Sequence, residues 1–116
     1  MHELSIAGAI VTIAEEHAAG RRVETVEVKV GHLRQVVPSA LTFAFELVTE
    51  GTPLEGARLE IEDVPVQLMC RTCAAESRVD DFPFACPECG SIDVDVSSGD
   101  ELVVDTLELV DSVERI

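Results

Sequence analysis

Apolar residues recur along the first segment at spacings of three and four. Leu4, Ala7, Val11, Ala14 and Ala18 form one line, with Ile6, Ile10 and Ile13 beside it. That period predicts an amphipathic helix over residues 3–19 with a wide apolar stripe. Glu3 sits near its positive end, Gly20 suits the stop, and Arg21 and Arg22 follow where cations favour the dipole. The period then changes to two. Val26, Val28 and Val30 alternate with Thr25, Glu27 and Lys29, a half-buried strand over 23–30 that Gly31 ends. Pro38 suits the first turn of a second helix, in which Leu41, Ala44, Phe45 and Val48 share a face and Gly51 closes the segment. After a loop at Pro53 and Gly56, Leu59 and Ile61 alternate with Arg58, Glu60 and Glu62 in a second strand over 57–63. Strand chemistry returns at 101–110.

Residues 65–99 break this pattern. They hold all four cysteines, three of the five prolines and few core-sized aliphatics. The expected architecture is therefore α+β: a small three-stranded sheet packed by two helices, with an inserted zinc-ribbon-like lobe of two CxxC knuckles. The expected domains are residues 1–64 plus 100–116, and a lobe of residues 65–99. No repeat appears beyond the paired knuckles.

The cysteine pattern is Cys70-x2-Cys73-x12-Cys86-x2-Cys89. A two-residue gap lets one tight turn aim two sulfurs at a point, and two facing turns supply a tetrahedron of the kind Zn²⁺ takes. Gly90 follows the second pair, where a backbone turning back under the metal is helped by a residue without Cβ. About 35 residues of this composition bury too little apolar surface to fold alone, so a metal would supply the missing stabilisation. Four thiolates leave no open coordination position, which makes such a zinc structural. Disulfides are disfavoured in a reducing compartment. Iron is the alternative metal, because Cys86-Pro87-Glu88-Cys89-Gly90 looks like half of a rubredoxin site. Rubredoxin-like folds pack aromatic residues round the metal, and only Phe82 and Phe84 are available here.

Composition adds constraints. The chain of 116 residues is 47% hydrophobic, with four Phe and neither Trp nor Tyr, so its core is aliphatic. No apolar run approaches the ~20 residues that cross a bilayer. The start, Met1-His2-Glu3, is acidic where a signal peptide is basic, and a cytoplasmic protein is expected. Eight basic residues face 23 acidic ones, a net charge of −15. Such a field repels nucleic acid and anionic membranes and favours cations and basic partner surfaces. No nucleophile–base pair, phosphate-binding glycine loop or acidic dyad with catalytic context appears, so an enzyme is not expected.

The first residues form a second candidate site. His2 is large, so Met1 is expected to remain. The Met1 amine, the His2 amide nitrogen and the His2 imidazole Nδ1 close a five- and a six-membered chelate ring. Cu²⁺ or Ni²⁺, able to displace the amide proton, would take these as three corners of a square plane. Glu3 could add a carboxylate or its amide nitrogen. His17, near the helix C-terminus, and His32, in a loop, have no partner at metal-binding spacing.

An initiator Met-His-Glu opening an amphipathic helix, together with two CxxC knuckles late in the chain, resembles the hydrogenase nickel-incorporation proteins of the HypA/HybF kind. The likeness also takes in Leu4-Ser5, Val28-Lys29-Val30-Gly31, the stretch from Val37-Pro38 to Ala44-Phe45-Glu46, and Cys86-Pro87-Glu88-Cys89-Gly90-Ser91. The resemblance implies a nickel metallochaperone. It implies His2 as the main Ni²⁺ ligand, Met1 and Glu3 contributing through backbone nitrogen, and Zn²⁺ on Cys70, Cys73, Cys86 and Cys89. It further implies partnership with a nickel-binding GTPase and delivery to the large subunit of [NiFe] hydrogenase, or in some organisms urease, by a monomer or weak homodimer. Some relatives place an acidic nickel ligand near the start of the second helix. The stretch Val36-Val37-Pro38-Ser39 has none, which leaves a fourth position that Glu3 is expected to fill. The competing classes are an acidic zinc-ribbon interaction module and a rubredoxin-like electron carrier.

Overall fold

A computed structural model describes residues 2–80 and 84–116. In chain order the elements are α1 (His2–Ala18), β1 (Val23–Gly31), a short 3-10 turn (His32–Arg34), α2 (Pro38–Thr49), β2 (Arg58–Val64), β3 (Val66–Cys70), β4 (Glu76–Val79), β5 (Val94–Ser98), β6 (Leu102–Leu109) and β7 (Val113–Arg115). The chain divides into two compact units.

The first unit comprises residues 2–29, Val36–Glu62 and Leu102–Ile116. Its sheet has the order β2-β1-β6-β7, so the strand late in the chain lies beside the first strand. The expected three-stranded sheet is present and carries one more strand. Residues 113–115 fold back antiparallel on β6, pairing Thr106 with Arg115 and Glu108 with Val113. Three residues are too short a run for alternation to announce a strand.

The predicted stripe of α1 is the buried one: Ala7, Ile10, Val11, Ala14 and Ala18 are buried. Three alanines on that face keep the helix close to its neighbours α2 and β6. Leu41, Ala44 and Phe45 of α2, Val26 and Val28 of β1, and Leu107 and Leu109 of β6 are all buried. Each large aliphatic or aromatic side chain so buried contributes roughly 1.5–3 kcal/mol. The helix stop is shared by Ala19 and Gly20, both left-handed at φ 52° and 86°. Arg21 then donates its Nε–H to the Ala18 carbonyl at 3.0 Å, the cation-at-C-terminus contact expected from sequence.

The second unit comprises Val30–Gln35 and Asp63–Glu101. Its antiparallel sheet has the order β4-β3-β5, with Leu68 opposite both Ser77 and Val96. Val66, Leu68 and Cys70 face inward while Gln67 and Met69 do not. Two glycines let backbones cross closely. A Cβ on Gly99, at φ 112°, would meet Val66 Cα at 2.7 Å, and one on Gly31 would overlap the Gly99 carbonyl. The crossing is bonded: the Gly31 N–H reaches Glu101 O at 2.7 Å and the Leu33 N–H reaches Gly99 O at 2.8 Å. Among the described residues, no helix is long and apolar enough to cross a membrane.

Candidate metal centres

The two knuckles are built alike. In the first, the Cys70 N–H donates to Ala75 O at 2.9 Å and the Ala74 N–H returns to Cys70 O at 3.0 Å. In the second, the Cys86 N–H donates to Ser91 O at 2.8 Å and the Gly90 N–H returns to Cys86 O at 2.7 Å. The fifth residue of each turn is left-handed, Ala74 at φ 63° and Gly90 at φ 78°. Backbone N–H groups point at sulfur: Thr72 and Cys73 donate to Cys70 Sγ at 3.3 and 3.4 Å.

All four cysteines are free thiols, with Cys70 and Cys86 buried and Cys73 and Cys89 exposed. Their ligand atoms lie within 4.8 Å of one another. The closest pairs are Cys70–Cys89 at 3.7 Å and Cys73–Cys86 at 3.6 Å. Four thiolates about 2.3 Å from a tetrahedral Zn²⁺ lie about 3.8 Å apart, so the residues fit a thiolate-bound metal. The Cys73 N–H, helped by Thr72 and the neighbouring thiols, holds Cys70 down to about 6. The Ala75 N–H favours a thiolate at Cys73, but contact with Cys86, desolvation and the other two sulfurs outweigh it and push Cys73 up to about 12. At Cys89 the Ser91 N–H is likewise outweighed, by desolvation and by Cys70 and Cys86, and its thiol is raised. The thiolate is thus favoured at Cys70 and disfavoured at Cys73 and Cys89. A dication at the centre would favour the thiolate at each ligand and release protons.

At the other candidate site, His2 is the first residue of α1 and its side chain is 52% exposed. Its Nε2 lies 3.2 Å from Glu3 Oε2, and the same oxygen accepts the Val37 N–H at 3.2 Å. The Val37 N–H, the N–H of Glu3 itself, His2 and the amino terminus hold the Glu3 carboxyl below the usual carboxylate range. The amide nitrogens at positions 2 and 3 belong to the first helical turn, whose N–H groups have no backbone carbonyl partner within the helix. Metallating one of them breaks no helical hydrogen bond. Met1 lies outside the described residues, as does Phe82.

His17 is exposed in the last turn of α1, and His32 Nδ1 lies 3.8 Å from Asp63 Oδ2; among the described residues, neither belongs to the four-cysteine group. Two features escaped the sequence reading. The stretch without a carboxylate at 36–39 still reaches the N-terminal site, through the Val37 N–H. The knuckles are also joined outside the sulfurs: Thr72 Oγ1 and Ser91 Oγ are 2.9 Å apart, and Arg71 reaches Asp93 and Asp95.

Comparison with known proteins shows the family. A family model described as hydrogenase/urease nickel incorporation, metallochaperone, HypA, matches residues 1–109. The hydrogenase maturation factor HypA of Geotalea uraniireducens (strain Rf4) is 47% identical over 109 residues, covering 94% of this chain and 99% of its own. That of Roseiflexus sp. (strain RS-1) is 46% identical over 115 residues, covering 96% and 94%. A solution structure of HypA protein superposes with a TM-score of 0.71 at 28% identity, covering 97% of this chain and 98% of the other. The Ni metallochaperone HypA from Helicobacter pylori superposes with a TM-score of 0.62 at 26% identity, covering 98% and 97%.

Proposed function

The chain belongs to the HypA family of hydrogenase/urease nickel-incorporation metallochaperones, and from that premise we propose how its residues divide the work. It is a metallochaperone and not an enzyme. Its cargo Ni²⁺ binds at the N-terminus, on the Met1 amine, the His2 amide nitrogen and His2 Nδ1. Glu3 completes the fourth position through its carboxylate or its amide nitrogen. Zn²⁺ sits at Cys70, Cys73, Cys86 and Cys89 and is structural. Nickel binding belongs to residues 1–64 plus 100–116 and zinc binding to residues 65–99. The partners are a nickel-binding GTPase and the large subunit of [NiFe] hydrogenase, with urease as a second target, in the cytoplasm. The protein acts as a monomer or weak homodimer.

The observation that carries this reading is the setting of His2. Its ring is half exposed at a helix start, and its Nε2 lies beside Glu3. Nδ1 is the nitrogen that can close a six-membered ring with the backbone. A carboxylate on the far ring nitrogen fixes the tautomer and raises ligand basicity. Three ligands at a chain end suit a carrier that must both hold and release. Protons compete for all three, so affinity falls as pH drops.

The test is metal analysis of untagged protein after nickel addition. His2→Ala should lose tight nickel binding while zinc stays near one per chain. Residues added before Met1 should do the same, because they turn the amine into an amide. Tight nickel binding by either form refutes the chelate.

A further inference from the structure

The four cysteines face one another across two turns that the protein itself clamps together. Arg71 follows Cys70 in the first knuckle, and its backbone N–H donates to Asp93 O at 3.0 Å. Its guanidinium then spans two carboxylates just beyond the second knuckle. Nη1 bonds Asp93 Oδ1 at 2.8 Å, Nε bonds Asp95 Oδ2 at 2.9 Å, and Nη2 bonds Asp95 Oδ1. Thr72 and Ser91 meet beside it, and the same Ser91 hydroxyl accepts the Asp93 N–H at 3.1 Å. The Arg71 and Thr72 contacts join the first knuckle to the chain that leaves the second, and the Ser91–Asp93 bond braces that chain.

We propose that Arg71 is the positioning residue of the metal centre: its fork on Asp93 and Asp95 holds the Cys70–Cys73 pair opposite the Cys86–Cys89 pair and slows metal release. The proposal rests on the cysteines binding Zn²⁺. A single exposed ion pair contributes little. A planar fork bonded to two carboxylates is different, because it fixes orientation as well as charge. Without it, Asp93 and Asp95 would add two uncompensated negative charges beside a cluster of thiolates. A lysine offers the charge and cannot bond both carboxylates in one plane. Outer groups that orient metal ligands are typically worth tenfold or more in metal affinity.

The test uses the full chain loaded with zinc, and with Co²⁺ as a spectroscopic probe of tetrahedral thiolate ligation. Arg71→Met should still give the cobalt–thiolate spectrum, and should release zinc to a chelator about tenfold faster than wild type. Asp93→Asn/Asp95→Asn should match it, and the triple variant should be no faster than either. Arg71→Lys should fall between wild type and Arg71→Met. Arg58→Met, which removes an ion pair elsewhere, should release zinc at the wild-type rate. Wild-type release from Arg71→Met, or effects that multiply in the triple variant, overturns the proposal. If Arg71→Met takes up no cobalt, Arg71→Lys decides: intermediate release supports the clamp and wild-type release overturns it. Failure of wild-type protein to take up zinc refutes the zinc reading itself, a result distinct from all of these.

Discussion

Gly90 and Ala74 hold the same place in two matching turns, and exchanging their side chains isolates one backbone effect. Nothing lies within 4 Å of a Cβ built on Gly90, so Gly90→Ala meets no steric obstacle. What it meets is φ 78°, in the left-handed region. That region costs an L-residue about 1–2 kcal/mol. Alanine also has fewer unfolded conformations than glycine, which offsets about 0.4–1 kcal/mol. The net penalty is about 1 kcal/mol, or about fivefold in a binding constant. Folding of a small lobe and metal binding are one equilibrium, so the loss should appear in zinc affinity. Ala74, at φ 63°, already carries the same penalty. Ala74→Gly should therefore tighten zinc by about fivefold, and Ala74→Gly/Gly90→Ala should return to wild type. Chelator competition on the full chain measures all three. Wild-type affinity in Gly90→Ala, or weaker binding in Ala74→Gly, would refute the equivalence of the two turns.

Gly99→Ala should be costly for a steric reason, because its Cβ would lie 2.7 Å from Val66 Cα and 2.9 Å from Val66 Cγ2. Overpacking and a positive φ together predict a loss of about 3 kcal/mol, read as a lower urea midpoint; an unchanged midpoint counts against the close approach. Glu3→Gln tests the bond to Val37 through pH. The folded Glu3 pKa is lowered, so its stabilisation is fully present above the unfolded value of 4.5 and is lost as pH falls through the folded one. The Tm gap between wild type and Glu3→Gln should be constant near neutral pH and narrow on acidification. A gap of constant size down to pH ~3 would show that the carboxylate contributes nothing through its charge.

The helices, three strands and the gathering of the four cysteines were legible because each rests on local pattern. Ala7, Val11 and Ala14 repeat at helical spacing, Val26 and Val28 alternate, and the cysteines carry their own spacing. What was illegible depends on partners distant in sequence. Val66, Leu68 and Cys70 do alternate with Gln67 and Met69, yet five residues ending in the first cysteine of a CxxC pair read as a knuckle and not as a strand. The bond from the Val37 N–H to Glu3 has no sequence signature, since every residue except proline carries that donor. Arg71 reads as an ordinary surface cation until β5 brings Asp93 and Asp95 beside it. Ala74 is the sharpest case. Its left-handed turn is foretold by Gly90 only once the two knuckles are known to match.

The order of strands along the chain has a kinetic consequence. β6 flanks β1 on the side opposite β2, yet 37 residues separate the end of β2 from the start of β6. When those residues form a flexible loop, closing it costs about 2 kcal/mol more than closing a loop of a few residues. Cys70 and Cys89 held on one metal ion would cut that loop to about 19 residues and recover about 0.6 kcal/mol of the closure cost. A chain that binds its metal early in folding would then bring β6 to β1 by up to about threefold more readily.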